Sequence, residues 1–202
     1  IGSLAFGVGS TAIFNSWLTR DVRMSVPLSF KVEIRGVPAP NVTAKDYMLE
    51  ILRHPYIRDG HAIGQIIEYA GPAVEALSID ERATMTNMAA EVGAFTGIIA
   101  ADETSVRFMV NERGMDRSRA EQLIHGMQSD AAAEYVKTIE IDASTIRPMV
   151  ALPNDPGNGV YIDGLGKEPI RIDIAYAGSC TAGKKEDMDM YARVLGEADA
   201  QG

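Results

Sequence analysis

Short apolar runs alternate with polar, capped stretches along most of this chain, and that alternation confines the fold to strands interleaved with helices. In "LSFKVEIRG", Phe30, Val32 and Ile34 alternate with Lys31, Glu33 and Arg35, the period of a half-exposed strand. "GQIIEYAGP" and "TGIIAAD" are short apolar runs of the buried-strand kind, the first stopped by Gly71-Pro72. "YVKTIEID" carries Val136, Ile139 and Ile141, and "PIRIDIAYAG" is expected as the last strand. Helical stretches lie between the runs. Residues 10–20 put Ile13, Phe14, Trp17 and Leu18 on one face. Thr43 with Asp46, and Ser78 with Glu81, have capping-box spacing and open "AKDYMLEILRH" and "IDERATMTNMAAEVGAF". Two polar helices are expected near 103–112 and 117–127, and a further one closes the chain after Cys180. The class implied is α/β, in layers.

"LPNDPGNG" is the most loop-like stretch and divides the chain. The expected organisation is an α/β portion over 1–152, a linker loop over 153–168, and a strand–cysteine–helix unit over 169–202 that opens a further α/β portion. "IGSLAFGVGS" starts without methionine and reads as the middle of an element, so a piece of a longer chain is expected.

The bulk properties narrow the function classes. With 46% apolar and 23% charged residues, the 202-residue chain has an ordinary globular composition. Its net charge of −9 argues against nonspecific binding to nucleic acid or to an anionic membrane surface. No apolar run is long enough to span a bilayer, and no basic-then-apolar leader is visible. One cysteine, Cys180, excludes an internal disulfide framework, which makes a reducing cytoplasm the expected compartment.

Three groups of residues could carry chemistry. "FGVGSTA" has the Gly-x-Gly-x-x-Ala form at Gly7, Gly9 and Ala12; it reads either as a dinucleotide turn or as a glycine turn for close helix packing. Asn87 and Glu91, four apart on an expected helix, share a face that is either solvated or buried with a partner. Cys180 is delivered by the last strand to the start of a helix near Lys184. There the helix N-terminus, Lys184 and Lys185 would favour the thiolate that bonds a metal or attacks an electrophile. Its other reading is a small core hydrophobe. His54, His61 and His125, at a helix end, in a loop and in a polar helix, are poorly placed to serve it as a base.

Several motifs in one order bring in a resemblance. "GSCT" after an apolar run, with "QIIEYAGPAVEALSIDERATMTNMAAEVGA", "TAKDYMLEIL" and "SLAFGVGSTA" before it, resembles the iron–sulfur hydro-lyases: aconitase, homoaconitase and the isopropylmalate dehydratase large subunit. The likeness covers most of residues 4–195. It implies a layered α/β/α aconitase-type domain with a mostly parallel or mixed sheet, incomplete at both ends. It also implies reversible dehydration of a hydroxylated di- or tricarboxylate. Cys180 matches one of three thiolates holding a [4Fe-4S] cluster, whose fourth iron takes the substrate. Asn87 and Glu91 match the family's pair beside that cluster. The family's Asp-Ser-His would precede this segment, and its Cys-x-x-Cys and a swivelling domain or small subunit would lie elsewhere. With one thiolate, these residues alone are expected to be apo and inactive. Where the family continues "GSCTN", this chain has Ala182 and Gly183. That departure, with the single cysteine, keeps open a cluster-free binding or assembly module on the same fold.

Overall fold

In the computed structural model, which describes residues 1–166, 168 and 170–201, the elements follow the expected alternation. They run α1 (Ser10–Thr19), β1 (Ser29–Arg35), α2 (Ala44–Arg53), α3 (Pro55–Arg58), β2 (Ile66–Ala70), α4 (Pro72–Glu75), α5 (Ile79–Asn87) and β3 (Thr96–Ile99). Then come α6 (Glu103–Arg113), α7 (Arg117–Ile124), β4 (Thr138–Asp142), β5 (Met149–Ala151), β6 (Gly159–Tyr161), α8 (Ser179–Ala182) and α9 (Lys185–Gln201). The main sheet has order β3-β2-β1-β4 with every pair parallel, and β5 and β6 form a separate antiparallel pair. The α/β class and the mainly parallel sheet flanked by helices are as expected.

Register places the alternating residues on opposite faces. Ile139, Val32, Tyr69 and Ile99 lie side by side across the four strands, with Phe30 beside Ile67 in the next row. All are buried, against side chains of α2 and α5 such as Tyr47, Met48, Ile51 and Met85. Each aliphatic or aromatic side chain so buried contributes about 1.5–3 kcal/mol. The other face is polar: Glu68 accepts from Ser129 Oγ at 2.6 Å and from Tyr135 OH at 2.7 Å, and Lys31 lies over the Tyr135 ring.

The two expected caps resolve differently. Asp46 closes the first box by accepting from Thr43 N at 2.7 Å. Its other oxygen accepts from Met149 N at 2.7 Å, tying β5 to the start of α2. At the second, Ser78 Oγ accepts from Glu81 N at 3.1 Å, but the Glu81 carboxylate turns to Ala44 N at 3.2 Å instead of back to Ser78. It thereby joins α5 to the N-terminus of α2, where a carboxylate is favoured.

The stretch expected as a linker needs correction. Residues 153–158 are the turn of the β5–β6 hairpin, and β6 packs on α2 with Tyr161 OH donating to Glu50 at 3.2 Å. The expected loop is thus the turn of this hairpin, and β6 falls inside the stretch expected as a linker. The last strand also needs correction. Residues 170–178 pair with no described strand, and Ile170, Ile172, Ile174 and Tyr176 are exposed, because period-two alternation without a hydrogen-bonding neighbour makes no sheet. Lys167 in the expected linker and Pro169 at the start of that strand lie outside the described residues. Among the described residues no strand leads into Gly7 and Gly9, the context a dinucleotide turn needs. α1 forms, yet its apolar face is uncovered, with Trp17 80% exposed. No described helix is long and apolar enough to cross a membrane.

One charged side chain is fully enclosed. Arg82 of α5 donates from Nη1 and Nη2 to the two oxygens of Asp102, at 2.8 and 2.7 Å. It also donates to Glu75 O at 2.7 Å and Leu77 O at 3.2 Å. Asp102 in turn caps α6 through Thr104 N and Ser105 N. Burial pushes the Asp102 carboxyl up, but the Arg82 guanidinium and those amides outweigh it and hold it below the usual range. A depressed carboxyl stabilises fully above its unfolded value, about 3.9, and loses that contribution as pH falls through the folded one. Stability should therefore decline on acidification below about pH 4. Arg82→Met should lose about 3 kcal/mol in urea titrations and flatten that acid limb. Arg117→Met, which breaks exposed pairs with Glu103 and Glu121, should leave the urea midpoint essentially unchanged.

Candidate functional site

The site begins where α5 meets β3. Gly97 lets the helix approach the strand: a Cβ there would stand 2.9 Å from the Tyr69 ring, 3.0 Å from Ala89 Cβ and 3.2 Å from Thr86 Cα. The helix expected over "IDERATMTNMAAEVGAF" stops at Asn87, and residues 88–93 are turns. Gly93, at φ 76°, ends them as Ala94 N donates to Ala89 O and Gly93 N to Ala90 O, a Schellman closure. The single helical face proposed for Asn87 and Glu91 is thus corrected: Asn87 is the last helical residue and Glu91 sits in the turn beyond. Both are exposed.

The "GSCT" segment docks on the same helix. Gly178 at φ 142° and Ser179 at φ 75° bend the backbone into the single turn of α8, whose second residue is Cys180. Thr181 Oγ1 donates to Asn87 Oδ1 at 2.7 Å. The Thr181 carbonyl accepts from Thr84 Oγ1 at 2.9 Å and from Lys184 Nζ at 2.6 Å, while Lys184 Nζ also donates to Thr84 Oγ1 at 2.8 Å. Farther back, Asp80 accepts from Glu186 N at 3.2 Å, and Ser78 Oγ bonds the Glu186 carboxylate. Asp80, Thr84 and Asn87 are spaced i, i+4 and i+7, one polar stripe along α5 that carries the attachment together with its cap Ser78.

Of the residues singled out from sequence, Asn87 and the Cys180 turn are brought together through Thr181. Cys180 itself is exposed, which corrects its reading as a core hydrophobe. Its expected thiolate-favouring neighbours are committed elsewhere. Lys184 serves Thr84, Thr181 O and Asp187, and Lys185 pairs with Asp189. At the start of α9, Lys184 N donates to Asp187 and Glu186 N to Asp80, so carboxylates occupy amides expected to face the sulfur. Thr84 and Lys184 were not singled out as moorings; the polar spacing 80-84-87 was the signal that could have found Thr84. Beside the turn lies a mostly apolar cleft of about 310 Å³, lined by Glu81, Ala177, Ala182, Met190, Tyr191 and Val194 among others.

An exposed thiol on a fastened turn fits one ligand position of an iron–sulfur cluster. It fits no more than one, since the chain has a single cysteine and no described group of three or more His, Cys, Asp or Glu could hold a metal ion.

The family model described as the aconitase family (aconitate hydratase) matches residues 1–202. A 3-isopropylmalate dehydratase large subunit of Sulfurimonas denitrificans is 39% identical over 195 residues, which is 96% of this chain and 45% of that protein. Those of Wolinella succinogenes and Pyrococcus furiosus (its large subunit 1) are each 38% identical over 195 residues, again 96% of this chain and 44% of the relative. The chain spans under half the length of these curated relatives.

The moorings predict a measurable local stability. Asn87→Ala removes the Thr181 acceptor, a bond of about 1 kcal/mol, so amide hydrogen exchange across 179–182 should quicken roughly five-fold while the β1 and β2 amides keep their rates.

Proposed function

This chain belongs to the aconitase family, and from that premise we propose that it forms part of the cluster-bearing region of an iron–sulfur hydro-lyase acting on a small hydroxylated di- or tricarboxylate. The isopropylmalate type is favoured by the relatives' names. The observation that carries the reading is the Thr181–Asn87 bond, which fastens the turn bearing the sole cysteine to the helix end bearing the polar pair. Cys180 supplies one thiolate to a [4Fe-4S] cluster, and the other ligands come from outside these 202 residues. When bound, the cluster supplies a Lewis acid for the departing hydroxyl.

The chain's own residues bind and orient. With Oδ1 engaged by Thr181, Asn87 directs its Nδ2 hydrogens to a substrate carboxylate. Glu91, exposed in the adjoining turn, accepts a hydrogen bond from the substrate hydroxyl or from the water it becomes. Thr84 and Lys184 hold the Thr181 carbonyl and so fix where the thiolate stands. A swivelling domain or small subunit completes the substrate site, in keeping with relatives named as large subunits. The single cysteine supports a cytoplasmic setting, and the net charge of −9 speaks against nucleic-acid or anionic membrane partners.

Anaerobic treatment of these residues alone with iron and sulfide should give no stable broad absorption near roughly 400 nm, where such clusters absorb. The full-length protein should show it, and Cys180→Ser should abolish it. A full-length protein that stays colourless would favour the cluster-free module. In the full-length enzyme, Glu91→Gln should slow turnover by about 100-fold or more with an unchanged circular dichroism spectrum.

A further inference from the structure

Tyr69 carries a group that the core does not use. It stands mid-strand in β2, between Val32 of β1 and Ile99 of β3, and is 1% exposed. Its ring fills the space left by Gly97, close to the Ala89 and Thr86 that flank Asn87. Its hydroxyl is the one buried side-chain polar atom among the described residues with no hydrogen-bond partner. A buried donor without an acceptor forfeits its hydration for nothing, and phenylalanine would pack the same volume without that cost. The unmade bond calls for an acceptor near the end of α5.

The candidate acceptor is in the turn above. Ala89 meets the edge of the ring at the space left by Gly97, and the turn of residues 88–93 that holds Ala89 also carries Glu91. Burial and then the negative charge of Glu91 push the Tyr69 phenol well above its ordinary value, so it stays protonated and can only add a donor. No other charged group acts on it comparably. Glu91 itself is exposed in this structure, and a rotamer change of an exposed side chain is a small, fast motion.

We propose that Tyr69 is a positioning residue for Glu91, its buried hydroxyl donating to the Glu91 carboxylate when that side chain turns inward over an occupied site. The inference rests on the role given to Glu91 under the proposed function. A preorganised donor beneath the carboxylate holds its orientation and replaces the water it loses as substrate covers it. The hydroxyl acts on the reaction through Glu91 alone.

Tyr69→Phe, Glu91→Gln and the double variant in the full-length enzyme test this together. Tyr69→Phe should lower kcat by roughly ten-fold with KM within about two-fold, because an orienting bond made over bound substrate is lost. The double variant should be no slower than Glu91→Gln. The same Tyr69→Phe protein should melt at or above the wild-type temperature, as removal of an unpartnered buried hydroxyl requires. An unchanged kcat in Tyr69→Phe beside a slow Glu91→Gln would overturn the inference and leave the role of Glu91 standing. A lowered melting temperature would also overturn it, since the hydroxyl would then serve the fold. Full activity in Glu91→Gln would overturn both this inference and the reading beneath it.

Discussion

The enclosed guanidinium of Arg82 determines where α5 sits, and most of the architecture is arranged about that helix. A buried cation is tolerable only when it is paired and well hydrogen-bonded, and here Asp102 takes two of the N–H donors while the carbonyls of Glu75 and Leu77 take two more. Those partners belong to the α4 end, the connection before α5 and the cap of α6, so one side chain locks three segments into register. On another side, Gly97 lets the helix settle onto β3. The stripe of Asp80, Thr84 and Asn87 is then left to receive α8 and α9. Arg82 thus bears on the site without lying in it.

What the sequence disclosed about the fold followed from how local each signal was. The strands β1 to β4 were legible because their apolar residues bury one face and their turns carry Gly and Pro. The cap at Thr43 was legible because both partners lie within one helical turn. Glu81 was half legible: Ser78 captured its amide as expected, but its carboxylate found a better partner at Ala44, 37 residues away. The hairpin over 149–161 was hidden for the same reason, since its strands are three residues each and depend on Asp46 and α2. Residues 170–176 show the converse. Their alternation is as strong as that of β1, yet period alone cannot supply a neighbouring strand, and four apolar side chains remain in solvent.

The candidate site was legible in its members and less so in its geometry. Cys180 and Asn87 were named from spacing and resemblance, and Thr181 does join them. Glu91 is expected by counting helical turns beyond Asn87, where the helix has already ended and residues 88–93 run on as turns that Gly93 closes. The lysines after Cys180 were given to the sulfur because charge and proximity in sequence were all that could be weighed. Once folded, nearer acceptors claim them: the Thr181 carbonyl, Asp187 and Asp189. Tyr69 lies in a run expected as a buried strand and is core; only the third dimension shows that its hydroxyl ends without a partner.

The departure at Ala182 and Gly183 looks less like decay once the mooring is considered. An amide after "GSCT" could be needed either to hold the turn or to touch what the turn holds. Here the turn is held from beneath, by Thr84 and Lys184 on the Thr181 carbonyl and by Asn87 on the Thr181 hydroxyl, so no side chain at 182 is required for that. Gly183 has a task of its own: a Cβ there would stand 2.5 Å from the Ser179 carbonyl oxygen and force the one-turn helix open. Ala182 instead lines the apolar cleft with Met190, Tyr191 and Val194. A small apolar residue suits that wall, whereas an amide would need a polar partner in it. The substitution therefore changes the surface beside the cysteine and leaves the presentation of its sulfur intact.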